Sequence, residues 1–202
     1  MTFVVIGYGS PLRGDDGVGP AVVEALRNLG DSGDFGCGAG LVGGRASVRL
    51  KVAHQLLPEL AEDVAASDGV VFVDAAAGAA PGEVKVDVLS GLPSERSMAS
   101  PASEAVPSSV WPRASSHGLS PVEILAYARA LSGRAPRAAA VLVGGADFTL
   151  GRGLSAEVSA VVPRAAAEVR ALLASWAAGD DAGNPARQSG RAEGFAKGGR
   201  GI

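Results

Sequence analysis

Short apolar runs of strand length alternate along the chain with longer segments of helical periodicity. The runs that predict strands are 2–7, 47–52, 70–73, 83–89 and 138–143. The segments that predict helices are 17–29, 55–66, 120–131 and one that begins after Ser155. This alternation is typical of an α/β domain with a mainly parallel sheet.

Three segments lack this periodicity. The glycine-crowded segment 30–44 predicts a flexible connection, and the serine- and proline-rich segment 90–116 predicts a long loop of the kind that is often functional or mobile. After position 178 the apolar stripe ends, and the chain mixes Gly, Ser, Arg and Asp. We therefore predict one domain over 1–178 and a disordered tail over 179–202.

Composition supports a folded chain and excludes several classes of partner. Hydrophobic residues make up 47% of the 202 residues and charged residues 19%, which is enough apolar surface for a buried core. The formal net charge of −3 gives no electrostatic basis for binding nucleic acid or an anionic membrane. No apolar run reaches the roughly 18 residues that a membrane helix needs.

The expected location is the cytoplasm. Cys37 is the single cysteine, so no internal disulfide can form, and the N-terminal sequence does not resemble a signal peptide. Because no coiled-coil heptad is visible, we expect a monomer.

The densest chemical signal is the segment 7–19, GYGSPLRGDDGVG, between the first predicted strand and helix. A dinucleotide-binding turn does not fit, because Leu12 replaces the third glycine of the G-x-G-x-x-G motif. A phosphate-binding P-loop does not fit either, since no Gly-Lys-Ser/Thr follows. The adjacent carboxylates of Asp15 and Asp16 suit a hard cation, or the N-terminus of the following helix.

Two further residues are expected at the same edge of the sheet. Asp74 ends the most apolar predicted strand, and His117 precedes a predicted helix start. Each has a structural alternative, since Asp74 could bond the following turn and a lone histidine is often a packing residue. Taken together, Asp16, Asp74 and His117 offer two carboxylates and an imidazole, which suits a divalent metal with open positions for water or substrate.

Other reactive residues are less well placed. His54, just after the second predicted strand, is expected to have a structural or substrate-contacting role. Cys37 has no histidine nearby in the sequence. Ser115 and Ser116 directly precede His117, and without a Gly-x-Ser-x-Gly elbow they do not favour a serine hydrolase.

The segment 4–19, VVIGYGSPLRGDDGVG, resembles the opening of the nickel–iron hydrogenase maturation proteases. Later blocks of that family are resembled in the same order by 54–60, by 72–75 with 81–83, by 116–119 and by 151–163. The resemblance spans about residues 3–176. One departure is Ser10, where the family usually has asparagine.

The resemblance implies a cytoplasmic endopeptidase that removes a short C-terminal extension from the hydrogenase large-subunit precursor after nickel insertion. Matched motif by motif, its catalytic and metal-recognising residues fall on Asp16, Asp74 and His117. It also implies a three-layer α/β fold with a twisted, mostly parallel five-stranded sheet and helices on both faces. The resemblance leaves two roles for the metal open: docking on these three residues of nickel that the precursor carries, or activation of water by a metal held there.

Two other functions remain open from the sequence. One is a non-catalytic chaperone or binding protein for the hydrogenase large subunit. The other is an unrelated metal-dependent hydrolase or a small-ligand-binding α/β domain.

Overall fold

A computed structural model describes residues 1–29, 40–42, 46–89 and 118–179. The strands are β1 (Thr2–Tyr8), β2 (Gly40–Val42), β3 (Ala46–Ala53), β4 (Gly69–Ala76), β5 (Val84–Val88) and β6 (Arg137–Gly144). The helices are α1 (Val18–Leu29), α2 (Leu60–Ala65), α3 (Pro121–Ser132) and α4 (Ala156–Ala178), and a 3₁₀ turn at Gly14–Gly17 leads into α1.

The strands form one sheet in the order β2-β3-β1-β4-β6-β5. The four strands β3, β1, β4 and β6 are parallel, whereas β2 and β5 run antiparallel at the two edges. The predicted α/β class and mostly parallel sheet are confirmed. The five strands of five or more residues match the predicted number, and the three-residue β2 adds a short sixth strand.

The helices cover both faces of the sheet and make the three predicted layers. Side chains alternate between the faces along each strand, so Phe3 and Val5 of β1 pack with α1 and α4 while Val4 and Ile6 pack with α2 and α3. β4 is buried along its whole length, as expected for a central parallel strand.

Specific contacts tie the helices to the sheet. The ring of Trp176 in α4 lies 5.8 Å from the ring of Phe3 in β1, centroid to centroid. On the opposite face, the Asp63 carboxylate of α2 pairs with Arg49 and Lys51 of β3. None of the helices in the described ranges combines the length and the hydrophobicity needed to cross a membrane.

The starts of α3 and α4 were predictable because their caps are local. The Ser120 hydroxyl accepts a hydrogen bond from the Glu123 N–H, and the Glu123 carboxylate accepts one from the Ser120 N–H, which completes a capping box. The Ser155 hydroxyl accepts from the N–H of Val158. The predicted starts of these two helices, at position 120 and after Ser155, are therefore confirmed.

The structure differs from the predicted elements in three places. α2 begins at Leu60 rather than near position 55. Pro58 disfavours helical backbone at the residue before it. The turn that starts the helix is closed by a hydrogen bond from the Ala61 N–H to the Pro58 carbonyl. β2 lies inside the segment predicted as a flexible connection. β4 continues to Ala76, so Asp74 lies within the strand rather than at its end.

The predicted loop over 90–116 falls outside the described residues, as does the predicted tail beyond Gly179. α4 ends at Ala178 with Gly179 in the left-handed conformation, at the boundary where the apolar stripe ends in the sequence.

Candidate active site

The carboxyl ends of β1 and β4 bring two of the three predicted site residues to the same edge of the sheet. These neighbouring strands are parallel, with Gly7 opposite Val73. Gly19 in the first turn of α1 packs on both strands, since a Cβ there would lie 2.5 Å from the carbonyl oxygens of Tyr8 and Val73. The turn Gly14–Gly17 therefore lies directly above the end of β4 and contacts it.

Asp16 lies in this 3₁₀ turn with only 4% of its surface exposed. Its Oδ2 accepts a hydrogen bond of 2.7 Å from the backbone N–H of Ser10. Gly9 packs against it, with φ at +122°, and a Cβ at that position would lie 1.9 Å from the Asp16 carbonyl oxygen. Because Ser10 contributes a backbone donor, this contact does not depend on the side chain at position 10.

Asp74 is also 4% exposed and lies on β4 opposite Leu142 of β6. Its Oδ1 accepts a hydrogen bond of 2.8 Å from the N–H of Ala75. Val70 and Phe72 pack on the α2 and α3 face of the sheet, and the alternation along the strand directs Asp74 to that face as well.

Asp15 has a different environment from its neighbour Asp16. It is fully buried, and its carboxylate accepts hydrogen bonds from the backbone N–H groups of Ala146, Asp147 and Ser155 at 2.6–2.9 Å. The Ser155 hydroxyl donates a fourth bond of 3.0 Å. Asp15 thus fastens the loop between β6 and α4 to the loop between β1 and α1.

These contacts affect the pKa of Asp15. Burial acts to raise the pKa, but the backbone donors of Asp147, Ser155 and Ala146, together with the Ser155 hydroxyl, outweigh burial and hold the pKa below its ordinary value of 3.8. Asp15 is consequently an ionised structural carboxylate. None of these four donors forms a hydrogen bond with the neighbouring Asp16.

His117, the third predicted site residue, lies outside the described residues. The described segment that begins at Gly118 runs beside the loop that follows β3. A Cβ at Gly118 would lie 3.2 Å from the Cβ of Gln55, and the N–H of Leu119 donates a 3.1 Å hydrogen bond to the Leu56 carbonyl. Leu119 packs on the same face of the sheet toward which Asp74 is directed.

The described part of the chain contains no group of three His, Cys, Asp or Glu residues that could hold a metal ion. Asp16 and Asp74 provide the oxygen donors of the predicted set. His54 is exposed in the loop after β3. Cys37, Ser115 and Ser116 lie, like His117, outside the described ranges.

The sequence did not separate the roles of Asp15 and Asp16. The partners of Asp15 lie 131–140 residues away along the chain, so nothing close to Asp15 in the sequence identifies them. The sequence places Ser155 just before a predicted helix but does not show that its hydroxyl donates a hydrogen bond to Asp15.

The fold of this chain is similar to that of several solved structures. No protein-family model and no curated protein matches the sequence. Among solved structures, the [NiFe] hydrogenase maturation protease HycI from Thermococcus kodakarensis KOD1 aligns with a TM-score of 0.56 at 23% identity, over 85% of this chain and 92% of that one. The hydrogenase maturating endopeptidase HybD from E. coli aligns with a TM-score of 0.57 at 22% identity, over 86% and 92% of the two chains.

A third structure, the solution structure of an endopeptidase from Escherichia coli, aligns with a TM-score of 0.58 at 22% identity, over 89% of this chain and 94% of that one. The chain has the fold of the hydrogenase maturation proteases. The three alignments cover 92–94% of the solved chains. The fold expected from the sequence resemblance is thereby confirmed.

Proposed function

We propose that this protein is an endopeptidase that removes the C-terminal extension of a nickel-loaded [NiFe]-hydrogenase large-subunit precursor. The observation that carries the proposal is the pair of buried carboxylates, Asp16 and Asp74, at the carboxyl edge of a sheet with the maturation-protease fold. These are the positions to which the motif resemblance assigns metal recognition. Ligand sites in open α/β sheets occur at this edge.

The carboxylates are held in place before any ligand arrives. Within the described residues, Asp16 accepts a hydrogen bond through Oδ2 only, which leaves Oδ1 for a metal ligand bond. The Ala75 N–H fixes Oδ1 of Asp74. Preorganised side chains of this kind hold a ligand in a defined geometry.

In the proposed mechanism, the nickel carried by the precursor binds Asp16, Asp74 and His117. Carboxylate and imidazole ligands suit a divalent nickel ion. Binding through the metal positions the scissile peptide bond, so that only a loaded precursor is cleaved. Hydrolysis consumes one water molecule, which supplies a hydroxyl to the scissile carbonyl carbon and a proton to the leaving nitrogen.

The proposal also includes the setting of the reaction. The protein acts on its precursor as a cytoplasmic monomer, without a nucleic-acid or membrane partner. Exposed residues of the described loops near Asp16, Leu12 and Arg13 among them, offer a surface that a protein substrate could contact.

The test is to incubate the nickel-loaded precursor with the unsubstituted protein and with the variants Asp16→Asn, Asp74→Asn and His117→Ala, and to follow the precursor's C-terminal mass. We expect the unsubstituted protein to release a short C-terminal peptide. Each variant should process the precursor more slowly by on the order of 100-fold or more, because the metal loses a ligand and the scissile bond is misplaced. The matched control is Asp63→Asn, which removes a carboxylate from α2, outside the proposed site.

Two outcomes would contradict the proposal. Full processing by a folded Asp16→Asn or Asp74→Asn protein would exclude that residue from the site. A precursor that is bound by the unsubstituted protein but never shortened would instead assign the chain a chaperone role.

A further inference from the structure

Hydrogen bonds join two loops at the carboxyl edge of the sheet, next to the candidate site. The loop between β1 and α1 pairs with the loop between β6 and α4 through a parallel bridge of Arg13 with Arg152. The N–H of Gly14 donates to the Arg152 carbonyl at 3.0 Å, and the N–H of Gly151 donates to the Leu12 carbonyl at 2.7 Å. The buried Asp15 carboxylate adds four hydrogen bonds to the second loop.

The surface of these two loops presents the two most exposed large apolar side chains of the described residues. Leu12 is 67% exposed and Leu150 is 75% exposed. The hydrogen bonds hold the backbone that carries both leucines, so less backbone entropy is lost when a partner binds there. Leu12 and Leu150 lie on adjacent backbone, because the N–H of Gly151 donates to the Leu12 carbonyl, and neighbouring exposed apolar side chains are typical of protein interaction sites.

The charge of the surface is positive, although the whole chain has a formal net charge of −3. Arg13 and Arg152 are both exposed beside the leucines. Arg152 lies 3.9 Å from the carboxylate of Asp147, whereas Arg13 forms no ion pair with any residue that the structure describes. Among the exposed side chains of the two loops, these two guanidinium groups face one carboxylate, that of Asp147, because Asp15 and Asp16 are buried. The exposed surface therefore has an excess of positive charge, which is complementary to carboxylates on a partner.

We propose that Leu12, Arg13, Leu150 and Arg152, here called the loop platform, dock a segment of the precursor that carries apolar side chains beside acidic ones. This inference rests on the proposed function and names the chemistry of the substrate segment. The position favours the precursor as occupant, because the platform adjoins the turn that holds Asp16. Docking there places the partner's chain next to the two site carboxylates.

The test compares the kinetics of precursor processing by a double variant, Leu12→Ser with Leu150→Ser, and by Leu131→Ser. The control leucine is 62% exposed near the C-terminal end of α3, at the opposite edge of the sheet. Because each lost leucine contact is expected to weaken binding about tenfold, the KM of the double variant should rise by about 10- to 100-fold while kcat changes less than about twofold. Leu131→Ser should leave both constants unchanged.

A charge reversal tests the acidic part of the occupant. Arg13→Glu should raise KM several-fold at low salt and less at high salt, since screening weakens the repulsion. Arg129→Glu, an exposed position on α3, is the matched control and should not change KM. A KM that is unchanged in both the double leucine variant and Arg13→Glu would overturn the loop platform while leaving the proposed function intact.

The remaining outcomes separate the two proposals. If the unsubstituted protein does not shorten the precursor, the proposed function fails, and calorimetric titration of the precursor then tests the platform. Weaker binding by the double leucine variant than by Leu131→Ser would support the platform, and equal binding, or no binding by any form, would overturn it. Self-association of the unsubstituted protein that the double variant abolishes would assign the surface to a second copy of this chain and also overturn the proposal.

Discussion

At the scale of single residues, the adjacent acids Asp15 and Asp16 show how environment separates two identical side chains. Asp15 accepts three backbone N–H groups and a hydroxyl, whereas Asp16 accepts one N–H, from Ser10. The first carboxylate is occupied in holding two loops together. The second lies at the sheet edge with an oxygen left for a ligand.

Replacing Asp15 by asparagine is expected to destabilise the fold. The amide turns its NH₂ group toward donors that need an acceptor, and loss of hydrogen bonds to a buried charged group costs about 2 kcal/mol. The free energy of unfolding at neutral pH, measured by urea denaturation, should fall by about that amount. An unchanged free energy of unfolding would show that the four hydrogen bonds do not hold the loops.

The same residue predicts a pH dependence of stability. Because the folded-state pKa of Asp15 lies below its ordinary value of 3.8, ionised Asp15 stabilises the fold above that value, and the contribution is lost as the pH falls below 3.8 and through the folded-state pKa. The Asp15→Asn variant lacks this contribution at every pH. The difference in unfolding free energy between the two proteins should therefore shrink on acidification, and a constant difference from pH 7 to pH 2 would contradict the assignment.

At the scale of elements, α3 starts at the edge of the sheet that carries the candidate site. Leu119, which precedes the Ser120 cap, is bonded to the Leu56 carbonyl in the loop after β3. The capping box at Ser120 and Glu123 fixes the point at which the chain becomes helical. The start of α3 therefore helps to set the path of the chain beside the loop that follows β3.

Removal of this cap has a defined cost. Ser120→Ala should lower the free energy of unfolding by about 1 kcal/mol, because the N–H of Glu123 loses its acceptor. Ser120→Asp retains an acceptor at the cap and should restore most of the stability. Urea denaturation of the three proteins provides the measurement, and identical midpoints for Ser120→Ala and the unsubstituted protein would refute the role of the cap.

The elements that were predicted correctly have local signals, and those that were missed do not. The Ser-Pro-Val-Glu start of α3 is encoded within four residues. The late start of α2 follows from Pro58, whose effect competes with a helical pattern that continues on both sides of it. β2 lies in a glycine-rich segment without a strand pattern and is stabilised by its pairing with β3, so the sequence did not predict it.

In the candidate site, too, the features that were predicted have a signal in the sequence and those that were missed do not. Asp16 and Asp74 could be assigned to one edge because parallel strands end together, and that is a property of the topology. The loop platform could not be predicted, since it depends on backbone pairing between Arg13 and Arg152, which lie in different loops far apart in the sequence.

At the scale of the whole molecule, the core extends to the last turns of α4. Leu173 and Trp176 belong to the buried cluster on the α1 and α4 face, and Gly179 ends the helix in the left-handed conformation. The described core therefore includes α4 almost to its end.

A chain that ends at Gly179 should retain the stability of the full chain, with a Tm within about 3 °C, because the described core lies before that residue. A chain that ends at Leu172 loses Leu173 and Trp176 and should not fold cooperatively. Calorimetry of both truncated proteins checks this. A large loss of Tm in the longer chain would show that residues beyond Gly179 contribute to the fold.

The central claim is that the whole molecule works as a nickel-gated endopeptidase. The most direct measurement is the intact mass of the hydrogenase large-subunit precursor after incubation with the purified protein, with nickel-loaded and nickel-free precursor compared side by side. The account predicts loss of a short C-terminal peptide from the loaded precursor alone. Equal shortening of both forms would contradict the nickel gate, and shortening of neither, with loading confirmed, would contradict the proposed endopeptidase.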